Sequence, residues 1–290
     1  MLVRDLISKM WIISFGVLLA LSAAMGQSTQ LPDEIPDDGQ ERYDALQEAA
    51  REAREAGELA DALFYYETMQ EMAPESAEIY YNRGVLHSDL REYDRAVRLF
   101  EQAQDNGMDS PDLHYNQGNA YYRLGQFGQA EAAYRRARDL APEDPEILNN
   151  LGLTLTQREE VDEARRFFEE AGAADPEWAV PFFHLGNLFY DEDRLEEAET
   201  AYSEALARNA QMDQAQFNRG NTRYRQERYR AAFDDFLAVH EVRPEDNDVL
   251  YNLGASAVAA AEAARENEGD NEGDNEENTG DGDDAEAQAE

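Results

Sequence analysis

Asparagine recurs in this chain at a fixed step of 34 residues, at Asn82, Asn116, Asn150, Asn218 and Asn252, with His184 at the one intervening step. Asn119, Asn187 and Asn221 repeat three residues further on. Aromatic residues run beside this series. Tyr81, Tyr115, Phe183, Phe217 and Tyr251 stand one residue before it, and Tyr122, Tyr190 and Tyr224 six residues after it. A carboxamide carries two N–H donors and an acceptor oxygen. A ladder of them can hold both the N–H and the C=O of an extended peptide without reading its side chains. Tyr and Phe beside the ladder supply rigid, amphipathic contact area. This is the chemistry of binding.

The residues that reactions need are missing. The chain has no cysteine, so it has no thiol nucleophile, no disulfide and no thiolate metal site. Its one lysine, Lys9, lies near the start, which excludes a Schiff-base or phosphate-loop lysine further along. There is no G-x-S-x-G elbow, no H-E-x-x-H and no Gly-rich phosphate loop. His87, His114, His184 and His240 do not pair at metal-ligand spacing, and His87 and His114 fall at core-facing positions. The expectation is a non-enzyme with no cofactor, no metal and no small-molecule substrate. The net charge of -39 argues against nucleic acid, which is bound through Lys/Arg patches that release counterions. It equally disfavours docking on anionic lipid. Arg in place of Lys fits either a salt-rich habitat or a GC-rich genome.

The ladder implies the elements that carry it. Gly84, Gly118, Gly152, Gly186, Gly220 and Gly254 keep the same 34-residue step, as do Ala62 through Ala232 and the aromatics Tyr66, Phe100, Tyr134, Phe168, Tyr202 and Phe236. Six uninterrupted repeats result, 43–76, 77–110, 111–144, 145–178, 179–212 and 213–246, with a half-repeat from Asn247 to about Arg265. Places 4, 7, 8 and 11 of each repeat share one helical face, and places 2, 5, 6, 9, 12 and 13 share another. Asp144-Pro145 reads as a helix start, a capping side chain before Pro at the first helical position.

The pattern resembles the tetratricopeptide repeat family, most fully in 145–178, with Leu148, Leu151, Gly152, Leu155, Ala164, Phe168, Ala171 and Pro176. The resemblance implies an all-α fold, a right-handed superhelical solenoid of helical hairpins with six full repeats and a C-terminal capping helix. It also implies that the second face, with the ladder, lines a concave channel. The repeat domain of O-linked N-acetylglucosamine transferase has a similar ladder. Asn and Tyr at these places also belong to the family consensus, so a ligand-gripping ladder and a merely inherited one both stand. The first repeat departs, with Ala50 for the Gly and Ala53 for the place-11 aromatic. Arg223 replaces an aromatic at place 11.

Family members that clamp chaperone carboxyl termini use channel lysines, which are absent here. Arg123 and Arg225 at place 13 could meet a carboxylate, but Glu78, Asp112, Glu146 and Asp248 at place 2 make the channel mixed to acidic. A neutral or basic protein or peptide segment is the expected partner.

The two ends complete the organisation. Residues 1–26 read as a signal peptide, with Arg4 and Lys9 ahead of an apolar run from Met10 to Ala24 that is short for a span. An uncleaved anchor is the other reading, and only then would the membrane be a partner. Residues 27–42 read as a linker, 43–265 as the repeat solenoid and 266–290 as a disordered acidic tail with twelve acids and no base. The expectation is an exported, periplasmic or envelope-associated bacterial scaffold. The alternative is a membrane-tethered subunit of an operon-encoded assembly, similar to exported repeat proteins of aerotolerance operons with von Willebrand A-domain partners.

Overall fold

In a computed structural model of the protein, residue 35 and residues 39–277 are described, the side chains only as far as Glu266. The stretch read as a signal peptide, most of that read as a linker and the end of that read as a tail lie outside these residues. All regular structure among the described residues is helical: α1 (Gly39–Glu55), α2 (Leu59–Met72), α3 (Ala77–Asp89), α4 (Tyr93–Asp105), α5 (Pro111–Arg123), α6 (Phe127–Leu140), α7 (Pro145–Gln157), α8 (Val161–Ala174), α9 (Ala179–Asp191), α10 (Leu195–Arg208), α11 (Asp213–Arg225), α12 (Tyr229–Val242) and α13 (Asn247–Glu277). None is long and apolar enough to cross a membrane. The chain divides into two compact units, one ending at Gly125 with α1–α5 and one from Gln126 with α6–α13.

Within the units, the first helices α3, α7, α9 and α11 pack against both the second helix of their own repeat and the second helix before it. Small residues make this possible. A Cβ built on Gly152 would lie 2.5 Å from a ring carbon of Phe168, and one on Gly186 2.5 Å from Tyr202. The glycine at place 8 is therefore a socket for the aromatic at place 24. Phe168 and Tyr202 are each 1 % exposed, and burial of a ring of this size contributes about 1.5–3 kcal/mol.

First helices are capped where the sequence offers a short polar side chain. Ser110 Oγ accepts from Leu113 N at 3.2 Å, and Asp144 Oδ1 accepts from Glu146 N at 2.9 Å and Ile147 N at 3.1 Å. They end in left-handed residues at place 15: Gly57, Arg91, Gly125, Glu159, Asp193 and Glu227 have φ between 60° and 78°. In α7 the Glu160 N–H bonds Leu155 O at 2.9 Å and the Glu159 N–H bonds Thr156 O at 3.1 Å. That pair of bonds is the Schellman closure, and four of the six positions use it without glycine.

Two boundaries differ from those read in the sequence. The first helix starts at Gly39, inside the stretch read as linker, because Gln40 bonds Asp44 at 2.7 Å and Glu41 sits in the first turn, where a carboxylate is favoured. α13 runs to Glu277, past the expected tail start at Glu266. No proline stops it there.

Candidate functional site

The ladder face is a set of side chains already bonded to one another. In the first compact unit Asn116 Nδ2 donates to the Tyr81 hydroxyl at 2.9 Å and to Asp112 O at 2.9 Å. The Tyr81 ring lies 5.9 Å from Phe100. Burial raises the Tyr81 phenol above its ordinary pKa, and Asp112 adds to the effect. Asn82, Tyr115 and Tyr122 are half-buried, while Arg123 is exposed.

In the second unit the centre of the face is Asn187. Its Oδ1 accepts from the Tyr202 hydroxyl at 2.8 Å and from Asn218 Nδ2 at 2.9 Å. An aromatic at place 24, a carboxamide at place 9 and one at place 6 of the next repeat thus form one chain of bonds. His184 stacks on Phe168, with ring centroids 5.2 Å apart, and lies 5.4 Å from Phe183. Burial pushes its imidazole down to about 4, so it is neutral at ordinary pH.

These residues enclose a cavity of about 500 Å³. Phe168, Leu188 and Tyr202 form its apolar part, while Thr156, Gln157, His184, Asn187, Tyr190, Asp191, Asn218 and Asn221 supply polar groups. Of the residues named from sequence, His184, Asn187, Tyr190, Asn218 and Asn221 line this cavity. Phe183 lies behind it, 6.1 Å from Tyr202, and Phe217 packs edge-on at 5.5 Å against Phe236. Asn150 accepts from Asn149 Nδ2 at 3.4 Å.

Four other named residues are placed differently. Arg225 stacks over Tyr190 at 4.6 Å and donates to Asp193 at 2.6 Å, so its charge is already paired. Tyr224 packs on Tyr229 at 5.2 Å. Tyr251 is 76 % exposed, and its neighbour Asn252 donates to Asp248 O at 2.9 Å.

His87 and His114 are buried, as their core-facing places imply. His87 Nδ1 lies 2.8 Å from Glu92 and His114 Nε2 lies 2.7 Å from Asp109. Among the described residues no group of His, Cys, Asp or Glu could hold a metal ion.

Arg223 also finds its explanation. Its Nη1 meets Asp235 at 2.8 Å and its Nε meets Glu199 at 2.8 Å, while Arg219 holds Asp235 from the other side at 2.7 Å. Arg228 completes the group on Glu199. Burial opposes ionisation of Glu199, but the bonds from Arg223 and Arg228 outweigh it and hold the carboxyl below its usual range. The sequence carried a signal for this: Asp235 breaks an otherwise apolar place 23 in the same repeat that loses its place-11 aromatic.

The profile of the tetratricopeptide repeat matches residues 48–111, 115–177 and 183–246, well over half of the chain. The chain belongs to the tetratricopeptide repeat family. No curated protein sequence matches it significantly. Among solved structures it is similar to YrrB, described as a TPR protein with an unusual peptide-binding site. The identity is 27 % and the TM-score 0.52, covering 57 % of this chain and 86 % of that one. PilW, a type IV pilus biogenesis factor, aligns with a TM-score of 0.65 at 17 % identity over 74 % of this chain and all of its own. MamA from Desulfovibrio magneticus RS-1 aligns with a TM-score of 0.57 at 20 % identity over 62 % of this chain and 99 % of its own. The last two likenesses concern the fold.

Proposed function

We propose that this tetratricopeptide repeat protein is a non-enzymatic binding scaffold of the bacterial cell envelope, gripping an extended neutral or basic protein segment against the first-helix face. The observation that carries the reading is the cavity of about 500 Å³ in the second unit, where Asn187, Asn218 and Asn221 stand beside Phe168, Leu188 and Tyr202. Carboxamides pair with backbone amides, the apolar part receives a side chain, and Asp191 at the rim favours a cationic neighbour. The peptide-binding site of YrrB supports this use of the fold.

Location in the envelope rests on the apolar leader at residues 10–24. The alternative, a tethered subunit of an operon-encoded assembly, requires that leader to stay uncleaved, and N-terminal mass spectrometry of the native protein separates the two. For binding, peptides selected from a random display library on the full chain are titrated against a fluorophore on Gln157→Cys at the exposed edge of the cavity, which is the sole thiol of that variant because the chain lacks cysteine. Saturable quenching, competed by unlabelled peptide, is expected. Peptides that bind without affecting this probe would contradict the site.

A further inference from the structure

Among the described residues α13 is a first helix with no second helix after it. In four complete hairpins the place-8 glycine is filled by a ring: a Cβ on Gly84, Gly152, Gly186 or Gly220 would lie 2.6, 2.5, 2.5 or 2.8 Å from Phe100, Phe168, Tyr202 or Phe236. At Gly254, the same place in α13, it would meet nothing within 4 Å. The helix does not turn at place 15, where every earlier repeat adopts a left-handed residue; Ala261 continues the helix, which runs on to Glu277. The buried side of α13, with Val249 and Ser256, is spent on α12. The side that a second helix would cover is open: Leu250 is 42 % exposed, and Gly254 and Ala257 are exposed with it.

We propose that this face docks an amphipathic helix supplied by another protein, a cationic helix carrying one aromatic ring between small residues. The internal hairpins define its chemistry. Each second helix from the second repeat to the fifth presents Ala, then an aromatic four residues on, then Ala three further, as in Ala130, Tyr134 and Ala137. The ring enters the Gly254 socket and the small residues let the backbones approach, the helix-in-groove mode of recognition. Charge selects the partner. Asp248, Glu262 and Glu266 are exposed along α13 against the single Arg265, in a chain of net charge -39. A second copy of so acidic a chain is repelled, and residues 278–290 contain no aromatic to fill the socket. This inference does not depend on the ladder face.

The test uses the full chain and a defined probe: a fluorescent synthetic peptide of residues 126–141, stapled on its outer face, which contains the Ala-Tyr-Ala pattern and is rich in Arg. Saturable binding is expected, with hydrogen-exchange protection at residues 250–258 and weakening in molar salt. Gly254→Phe fills the socket and should lower affinity at least about tenfold without lowering the melting temperature, since nothing lies near that position. Tyr134→Ala in the peptide should do the same. Equal binding by Gly254→Phe, or protection elsewhere, overturns the proposal. If a fluorophore on Ala257→Cys is already shielded from iodide quenching in the dilute chain alone, a segment of the chain itself covers the face. If protection appears only with rising protein concentration, a second copy does. Either result overturns the proposal.

Discussion

Asn187 Oδ1 accepts hydrogen bonds from the Tyr202 hydroxyl at 2.8 Å and from Asn218 Nδ2 at 2.9 Å. One carboxamide thus joins the floor of the cavity to its wall. Tyr202 is 1 % exposed, and burial keeps its phenol well above the ordinary pKa, so it is a neutral donor. Asn187→Ala leaves that donor without a partner and should cost about 1–3 kcal/mol. Tyr202→Phe in the Asn187→Ala background should recover part of the loss. Urea denaturation of the single and double variants measures it.

Place 8 should respond oppositely in two repeats. Gly152→Ala drives a Cβ to within 2.5 Å of Phe168 and should cost about 1–3 kcal/mol, felt as faster hydrogen exchange over 145–178. Gly254→Ala meets nothing and should stabilise α13 by roughly 0.5–1 kcal/mol through helix propensity alone.

Glu159 and Glu227 hold φ 61° in turns where Gly57 and Gly125 do the same work without a Cβ. The left-handed conformation costs an L residue about 1–2 kcal/mol, offset partly by the greater freedom that glycine brings to the unfolded chain. Glu159→Gly should raise stability by about 0.5–1 kcal/mol, read as a shift in denaturation midpoint.

The buried group around Asp235 should be intolerant of single changes. Asp235, 2 % exposed, serves Arg219 and Arg223 at once, and Asp235→Ala leaves two guanidiniums with no shared carboxylate. The expected loss is about 3–5 kcal/mol. Combining Asp235→Ala with Arg219→Leu and Arg223→Tyr gives these places the apolar character they have in the fourth and fifth repeats and should recover most of it.

His184 links stability to pH. In the unfolded chain it takes a proton near 6.5, while in the folded one burial delays this to about 4. Between those values the unfolded state binds more protons, so stability is full above about 6.5 and falls as pH drops toward 4. His184→Asn, which restores the residue of the neighbouring repeats, should flatten the melting-temperature profile in that window.

The fold was legible because its signal is redundant. Gly at place 8, Ala at place 20 and an aromatic at place 24 each repeat in phase, and each is a packing requirement between the same two helices, so any one predicts the others. The site was legible only as a face. Asn187, Tyr190, Asn218 and Asn221 were all named and line one cavity, but that Asn187 bonds both Tyr202 and Asn218 depends on distances across repeats, which spacing does not give. Arg225 looked like a free cation because its partner Asp193 lies in a turn outside the periodic face. The left-handed glutamates were invisible because sequence marks such turns through glycine. Gly254 looked like every other place-8 glycine until the missing ring behind it could be seen.

The scaffold reading stands or falls on the cavity carboxamides. The direct measurement is titration calorimetry of a library-selected peptide against the wild-type chain and the Asn218→Ala, Asn221→Ala double variant, with the fold checked by circular dichroism. Each lost hydrogen bond is worth about 0.5–1.5 kcal/mol, so the account predicts affinity lower by roughly tenfold or more in a variant that still folds. Unchanged affinity in a folded double variant would contradict it and reduce the ladder to an inherited pattern.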